Sequence, residues 1–242
     1  MKTVRIYQPG TYTAGQTLEL SPAGSQHVGV VLRMQPGDQL TLFSGDNREF
    51  LATISAVLKK KVIVDINSVQ MLSRESPRAI HLAQAISKGE RMELVIQKAV
   101  ELGVTSITPL LTARCVVKLD AERLEKKLAQ WQGIAIAACE QSGRNALPTI
   151  HPACTFDTYL RQCQAAFKLV LYPLAAKTWR DYVFTGGDIA LLIGPEGGLS
   201  EDEVEMAKAM QFQPLSLGPR ILRTETAAIS ALSVLQAVSG DL

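Results

Sequence analysis

The sequence predicts an α/β protein in which a small β-rich domain precedes a larger domain built on a parallel sheet. Residues 1–72 are rich in short β-branched segments separated by Pro-Gly or Gly-Asp turns. From residue 79 onwards, segments with strand and helix patterns alternate, and such alternation is typical of a parallel sheet. We therefore expect domains at residues 1–72 and 73–242, joined by the polar, proline-bearing stretch MLSRESPRA.

The N-terminal part contains four strand-like segments and one helix-like segment. The strands are expected in VRIYQ, DQLTLF, FLATISAV and KVIVDINSV. The stretch SPAGSQHVGVVLRM predicts a helix with Ser21 as its cap and Pro22 at its first position. VLKKKVIV predicts a hairpin whose tip carries three lysines. This pattern favours a small β-barrel.

The C-terminal part reads as buried strands and amphipathic helices. Continuous apolar runs such as FKLVLY and DIALLIG are typical of parallel strands buried on both faces, and AIHLAQAI, VTSITPLL and PLSLG complete the strand set. Helices are expected in GERMELVIQKAVELG, closed by Gly103, and over residues 120–143, opened by Asp120 and ended near Gly143. SEDEVEMAKAMQ begins with a capping box, Ser200 with Glu203, and TETAAISALSVLQAVSG is the last helix.

Composition and charge exclude several classes of protein. The 242 residues are 47% hydrophobic and 20% charged, which supports a core and argues against disorder. No apolar run approaches the ~18 residues of a membrane span, and the N-terminus lacks a signal-peptide core, so we expect a soluble, cytoplasmic protein.

Four cysteines without CxxC spacing and three histidines predict free thiols and no metal site. Residues 1–72 hold seven basic and five acidic residues, a weak indication of an anionic partner.

Two glycine-rich loops follow predicted strands and indicate a ligand site. They are IGPEGGLS at 193–200 and LGPRILRTET at 217–226, and LYPLAAK at 171–177 follows a third strand. Ligands of parallel sheets gather at the carboxyl ends of strands, and glycines let the backbone approach a ligand closely. A tight turn with a helix cap is the structural alternative. Because GxxxxGK[ST] and GxGxxG are both absent, neither a P-loop nucleotide nor a Rossmann dinucleotide is indicated. The residues alone predict a small-molecule site made of two backbone loops.

The paired stretches LLIGPEGGLSEDE and LSLGPRILRTETA resemble motifs of the bacterial small-subunit (16S) ribosomal RNA uridine-N3 methyltransferases, the RsmE family of the SPOUT superfamily. IQKAVELGVTSITPLLTARCVVK, AACEQSGRNALP and HVGVVLRMQPGDQLTLFSG are similar to the same family, so the resemblance covers nearly the whole chain. It implies S-adenosylmethionine as cofactor, and 16S ribosomal RNA or the small ribosomal subunit as substrate. It also implies a C-terminal trefoil knot, a PUA-like N-terminal RNA-binding domain, and a homodimer with active sites at its interface.

The resemblance also implies roles for individual residues. The implied catalytic residues are Arg220, Arg223 and Glu225. The implied cofactor shell is Leu171, Tyr172, Ile193, Gly194, Glu196, Gly197, Gly198, Ser216, Leu217, Gly218, Ile221 and Leu222. The implied RNA-binding residues, whose cationic groups suit phosphate, are Arg5, Arg33, Lys59, Lys60, Lys61, Arg114 and Arg144.

Methyl transfer to uracil N3 requires an acceptor for the N3 proton and stabilisation of negative charge on O2 or O4. Glu225 begins the last predicted helix, where the dipole favours a carboxylate, and it suits a hydrogen-bond acceptor or an anchor. An arginine facing O2 or O4 would stabilise the anion. Structural alternatives stay open: an Arg223–Glu225 pair that braces the knot, Glu196 as a helix cap, and each RNA-binding arginine as a solvated surface charge.

Three other functions are alternatives to uridine methylation. A methyltransferase of the same fold could act on a ribose 2′-OH or another base, because the loops bind cofactor rather than substrate; the N-terminal module and EQSGR favour uridine. An RNA-binding assembly factor without catalysis is the second rival, and the intact Gly, Arg and Glu positions of both loops argue against it. A hydrolase is disfavoured by the lack of GxSxG and of a credible histidine-based triad.

Overall fold

The structure is a computed structural model that describes residues 4–116 and 120–242. The chain forms two units, Met1–Glu75 with Cys139–Leu147, and Ser76–Ala138 with Pro148–Leu242. We call them the N-terminal and C-terminal units. The predicted domains at residues 1–72 and 73–242 did not anticipate the return of the chain to the N-terminal unit at residues 139–147.

A mixed five-stranded sheet forms the N-terminal unit. Its order is β1-β3-β4-β5-β2, with β1 parallel to β3 and the other neighbours antiparallel. The long strands β4 and β5 form the predicted hairpin, with Lys59 and Lys60 at its tip. Alternate residues of both strands, such as Phe50 and Val64, are buried in one core, as expected of a sheet with one apolar face. The strands are β1 Val4–Tyr7, β2 Thr17–Glu19, β3 Gln39–Phe43, β4 Arg48–Leu58 and β5 Lys61–Met71.

The predicted N-terminal helix begins where its cap indicated. The hydroxyl of Ser21 accepts a hydrogen bond from Gly24 N at 3.1 Å, and Pro22 occupies the first position of α1, Pro22–Gln26. The helix continues as a single π-helical turn, His27–Val31. A π-helical turn of this kind was not predicted from the sequence.

A buried polar network around Glu49 holds the returning segment in the N-terminal unit. The Glu49 carboxylate accepts hydrogen bonds from Arg5 Nη1 at 2.8 Å, Arg74 Nη1 at 3.0 Å, Gln70 Nε2 at 2.8 Å and Asn145 Nδ2 at 3.1 Å. Burial raises the pKa of Glu49, but these donors outweigh it and lower the pKa to about 2. Asn145 is fully buried and also donates to Leu72 O at 2.8 Å, so the network joins β1, β4, β5 and the returning segment.

A parallel sheet forms the C-terminal unit, which confirms the predicted fold class. Its order is β12-β10-β11-β6-β7-β8, with β9 paired to β7, and each of these pairs is parallel. Every residue of β11 is buried. The strands are β6 Ile80–Ala85, β7 Ser106–Leu111, β8 Thr149–Ile150, β9 Cys154–Thr155, β10 Phe167–Leu171, β11 Ile189–Ile193 and β12 Gln213–Leu215.

Helices of the C-terminal unit follow the predicted start and stop signals. Ser200 and Glu203 form the capping box, with Ser200 N donating to Glu203 Oε2 at 2.9 Å and Glu203 N to Ser200 Oγ at 3.2 Å. Gly103 follows α2 with φ +78°, as expected of a glycine past a helix end. The helices are α2 Arg91–Glu101, α3 Ala121–Ser142, α4 Phe156–Gln162, α5 Glu201–Ala209 and α6 Thr224–Ser239; the end of α3 belongs to the N-terminal unit.

The hydropathy of the helices and the state of the cysteines agree with the composition. Within the described ranges, none of the helices has both the length and the apolar character that crossing a bilayer requires. The four cysteines are free thiols, and burial raises the pKa of Cys139 to about 11. A thiol with so high a pKa is almost wholly protonated near neutral pH and therefore a poor nucleophile.

Candidate functional site

Strands β10, β11 and β12 end at one cavity of about 760 Å³ in the C-terminal unit. The loop after β11 supplies residues 194–199, the loop after β12 supplies residues 217, 218 and 220–223, and residues 172–174 follow β10. The two glycine-rich loops therefore line the same space, as expected when parallel strands end at one edge of a sheet. The volume falls within the ~300–1,000 Å³ of small-molecule sites.

All of the predicted cofactor residues except Ser216 line the cavity. Ser216 is buried where the second loop begins, with 6% of its surface exposed. Its hydroxyl accepts a hydrogen bond from Gly218 N at 3.2 Å and donates one to Gly218 O at 3.3 Å, so Ser216 supports the loop. The lining residues among those predicted are Leu171, Tyr172, Ile193, Gly194, Glu196, Gly197, Gly198, Leu217, Gly218, Ile221 and Leu222.

Main chain approaches main chain closely in the first loop. A Cβ atom on Gly194 would lie 3.0 Å from Leu199 N and 3.3 Å from Gly198 C. Gly198 has φ +69° and Gly218 has φ +114°, conformations that residues with a side chain rarely adopt. Gly194 and Gly198 explain why the first loop is tight at the end of the fully buried strand β11.

A buried hydroxyl joins the first loop to the start of α6. Thr224 Oγ1 donates to Gly194 O at 2.8 Å and accepts from Gln84 Nε2 at 3.0 Å. Gln84 is fully buried within β6, and Thr224 is 6% exposed. Sequence reasoning missed both residues, although a glutamine in the apolar strand AIHLAQAI was a usable signal, because a buried amide needs a partner.

Arg91 connects two acidic residues of the cavity, and sequence reasoning missed it as well. Its Nη1 lies 2.8 Å from Glu196 Oε1, and its Nε lies 3.8 Å from Glu225 Oε1. Glu196 also accepts from Lys88 N at 2.8 Å. Burial raises the pKa of Glu196, but backbone N–H groups and Arg91 outweigh it, so the net shift is downward. Ser200 is the residue that caps α5, so Glu196 is not the side-chain cap of that helix; it ties the first loop to the start of α2.

Glu225 has a buried oxygen without a partner. Its side chain is 13% exposed, and Oε2 accepts no hydrogen bond from the described residues. A buried polar atom left unsatisfied costs ~1–3 kcal/mol, so this oxygen suits a donor on a bound ligand. The nearby cation is Arg91, not Arg223 as the bracing alternative proposed.

Arg220 and Arg223 line the cavity as exposed cations. Neither forms an ion pair with any of the residues 4–116 and 120–242. Arg114, predicted to bind RNA, also lines the cavity, and its Nη1 donates to Gly197 O at 3.0 Å. Arg114 thus braces the first loop in addition to any contact with a ligand.

The other predicted RNA-binding residues divide into buried and exposed groups. The side chain of Arg5 is 8% exposed and bound to Glu49, and that of Arg144 is 5% exposed and paired with Glu75. Their burial in ion pairs contradicts a surface contact with phosphate, so we assign both to the interior of the N-terminal unit. Arg33, Lys59, Lys60 and Lys61 are exposed, with Lys61 paired to Glu19 at 2.9 Å.

A Ser-His-Asp cluster lies at the amino ends of the strands. His81 Nδ1 is 2.8 Å from Ser106 Oγ, and His81 Nε2 is 3.3 Å from Asp188 Oδ2. This grouping was not predicted from the residue pattern. Ser106 is 7% exposed, and the three residues lie at the start of β6, at the start of β7 and just before β11, away from the carboxyl ends that form the cavity. Because a nucleophile must reach its substrate, burial of Ser106 favours a structural role.

Comparison with known proteins gives a uniform result. A model described as an RNA methyltransferase domain matches residues 74–236, and one described as an RNA methyltransferase PUA domain matches residues 23–67. Ribosomal RNA small subunit methyltransferase E of Buchnera aphidicola from Schizaphis graminum is 38% identical, with 98% of this chain and 97% of the relative covered. The Bacillus subtilis protein of the same name is 36% identical, with coverages of 90% and 89%.

Solved structures agree with these matches. The structure of ribosomal RNA small subunit methyltransferase E from Neisseria gonorrhoeae, bound to S-adenosylmethionine, has 38% identity, a TM-score of 0.93 and 99% coverage of both chains. A structure from Legionella pneumophila, described as a methyltransferase with bound cofactor S-adenosylmethionine, has 60% identity, a TM-score of 0.98 and 100% coverage of both chains.

Proposed function

The chain belongs to the RNA methyltransferase family of ribosomal RNA small subunit methyltransferase E, and from this premise we propose that it transfers the methyl group of S-adenosylmethionine to N3 of a uridine in 16S ribosomal RNA. The observation that supports this most strongly is the single cavity lined by both glycine-rich loops. Two solved relatives of similar length hold S-adenosylmethionine.

The residues of the cavity fit the cofactor. Leu171, Leu217 and Leu222 offer apolar surface, and the tight packing at Gly194 leaves main chain rather than side chain at the wall. Main-chain N–H and C=O groups can bind the polar edges of an adenosine and an amino acid. The Oε2 atom of Glu225 remains for a donor. When bound, S-adenosylmethionine supplies an electrophilic methyl group on its sulfonium.

The chain's own residues hold the uridine and manage its proton. Methyl transfer needs an in-line approach, and orientation of this kind can lower a barrier by ~7–11 kcal/mol. Glu225 accepts a hydrogen bond from uracil N3–H, and the proton released from N3 as the methyl group arrives passes along this bond to solvent. Arg91 Nε lies 3.8 Å from Glu225 Oε1 and attracts the carboxylate. The exposed guanidinium groups of Arg220 and Arg223 stabilise negative charge on O2 or O4.

We also propose a homodimer whose subunits meet at the cavity. Leu174 and Ile221 line the cavity mouth yet are 81% and 87% exposed. Apolar side chains exposed around a functional opening are typical of a surface that another protein covers. The trefoil knot, RNA binding by residues 1–72 through Arg33 and Lys59–Lys61, and a cytoplasmic location belong to the same proposal.

Nucleoside mass spectrometry tests the reaction. Small ribosomal subunits from a strain that lacks this protein are incubated with the purified chain and S-adenosylmethionine, and their RNA is then digested to nucleosides. We expect N3-methyluridine to appear only when both protein and cofactor are present. A 2′-O-methyl nucleoside or another methylated base would reassign the target, and cofactor binding without any new methyl group would favour the assembly factor.

Variants at the cavity separate catalysis from cofactor binding. We expect Arg223→Ala and Glu225→Ala each to lower kcat by at least ~10²-fold, while calorimetry with S-adenosylmethionine gives nearly the wild-type affinity. Glu225→Gln is the matched control, because it keeps the shape and a hydrogen-bonding oxygen but removes the charge. Equal losses of affinity and rate, or no loss of either, would return both residues to a structural role.

A further inference from the structure

A second cleft lies along the edge of the parallel sheet in the C-terminal unit. It has a volume of about 620 Å³ and shares no lining residue with the cofactor cavity. It lies beside the first residues of β10 and β12, whereas the cofactor cavity lies at the opposite ends of these strands. We call it the lysine cleft and define it by Lys168, Lys177, Tyr182, Lys208 and Phe212.

The lysine cleft has a positive charge that carboxylates only partly offset. Among the described residues, its lining includes three lysines and neither aspartate nor glutamate. Lys208 is paired with Glu205 at 2.7 Å, but Lys168 and Lys177 form no ion pair within the described part of the chain. Asp181 lies within electrostatic range of Lys177, yet its carboxylate accepts bonds from Thr178 N at 2.7 Å and Thr178 Oγ1 at 3.0 Å. Two cations without direct partners in one concave surface attract anions.

Aromatic rings hold the two free ammonium groups at the wall of the cleft. Lys168 Nζ lies 5.9 Å from the centroid of the Phe212 ring, and Lys177 Nζ lies 5.5 Å from that of Tyr182. The Tyr182 hydroxyl donates to Pro214 O at 2.8 Å, which fixes the ring against the edge strand β12. A cation over a ring is held weakly, by ~0.5–1 kcal/mol at exposed sites. The ammonium groups are therefore positioned, while their donors remain available.

We propose that the lysine cleft binds phosphate groups of the RNA whose uridine enters the cofactor cavity. This inference rests on the proposed function, because it takes RNA as the substrate. Lysine is a compact point charge that suits phosphate without reading the base. Lys168 and Leu171, which lines the cofactor cavity, are three residues apart on β10, or about 10 Å along the strand. A few nucleotides of a chain span such a distance.

The experiment compares variants of the full chain in binding to small ribosomal subunits. Lys168→Gln/Lys177→Gln removes the two free charges, and Lys168→Arg/Lys177→Arg keeps them. Lys126→Gln/Lys127→Gln is the control, because it removes the same charge from helix α3, outside the cleft. Affinity is measured between about 50 and 200 mM salt, and S-adenosylmethionine affinity and the melting temperature are measured alongside.

We expect the Gln variant to weaken subunit binding by about tenfold at low salt and to reduce the slope of log K against log salt by about 1.4, the value for two single-strand phosphates. The Arg variant and the α3 control should match wild type, and cofactor affinity should be unchanged throughout. Wild-type affinity and slope in the Gln variant would overturn the inference. The inference would also be overturned if the Gln variant bound inorganic phosphate more weakly than wild type but bound small subunits equally well. The cleft would then be a site for small anions. If the wild-type protein neither binds nor methylates small subunits, that result contradicts the proposed function itself, on which this inference rests.

Discussion

Replacing Thr224 by valine removes the hydroxyl that joins the first loop to α6, and it keeps the shape of the side chain. Gly194 O then loses a donor at 2.8 Å, and Gln84 Nε2 loses an acceptor at 3.0 Å. Gln84 keeps a bond to Ala85 O at 3.1 Å, so the larger loss falls on Gly194. At ~1–3 kcal/mol for each buried group left unsatisfied, we expect Thr224→Val to lower the free energy of unfolding by about 2–4 kcal/mol.

Thr224→Ser is the matched control, because it keeps the hydroxyl and removes only a methyl group, at about 1 kcal/mol. Urea unfolding of both variants measures stability, and calorimetry measures affinity for S-adenosylmethionine. We expect valine to cost more than serine in both assays, with an affinity loss of about tenfold or more, or ~1.4 kcal/mol. If serine proved the more harmful substitution, methyl packing rather than the hydrogen bond would hold the loop, and the reasoning would be refuted.

Other substitutions test the remaining contacts. We expect Gly194→Ala to weaken cofactor binding by about tenfold, because its Cβ would lie 3.0 Å from Leu199 N. Gly197→Ala should bind the cofactor nearly as wild type does, because the nearest contact of its Cβ is at 3.4 Å. Equal effects of the two variants in calorimetry would argue against tight loop packing. Because the pKa of Glu49 is lowered from 4.5 to about 2, its stabilisation is complete above pH 4.5 and is lost as the pH falls to about 2. Glu49→Gln should therefore lower the free energy of unfolding by roughly 3 kcal/mol near neutral pH, and stability should fall less steeply between pH 4.5 and 2 than in wild type. An unchanged dependence of stability on acid pH would contradict this. Arg91→Ala should lower kcat by at least ~10-fold, because Glu225 loses its neighbouring cation. Arg91→Lys should have a kcat between those of Arg91→Ala and wild type. An unchanged kcat in Arg91→Ala would exclude a role of Arg91 in positioning Glu225.

Local sequence signals predicted most of the fold. The capping box at Ser200 and Glu203, and the glycine after α2, marked helix ends because caps act within a few residues. The apolar run of β11 was recognisable because both faces of the strand are buried. The two-residue strands β8 and β9 and the three-residue edge strand β2 were missed, since so few residues hold no periodicity. Helix α4 was missed too, although Thr155 caps it by accepting from Thr158 N at 3.2 Å.

The sequence predicted the main-chain loops of the site but not the side-chain contacts between distant residues. Glycine and proline revealed the loops, since those residues report main-chain conformation directly. Arg91 was not identified, because an arginine at the start of an amphipathic helix looks like any surface cation, and its partners Glu196 and Glu225 are more than 100 residues away. The same long range hid the burial of Arg5 against Glu49, a pair separated by 44 residues.

A crystal structure of this protein grown with S-adenosylmethionine tests the central claim most directly. We predict one cofactor molecule per chain, in contact with main-chain atoms of both glycine-rich loops and with Leu171 or Tyr172. Cofactor bound at another part of the chain, or contacts with only one of the two loops, would contradict the account.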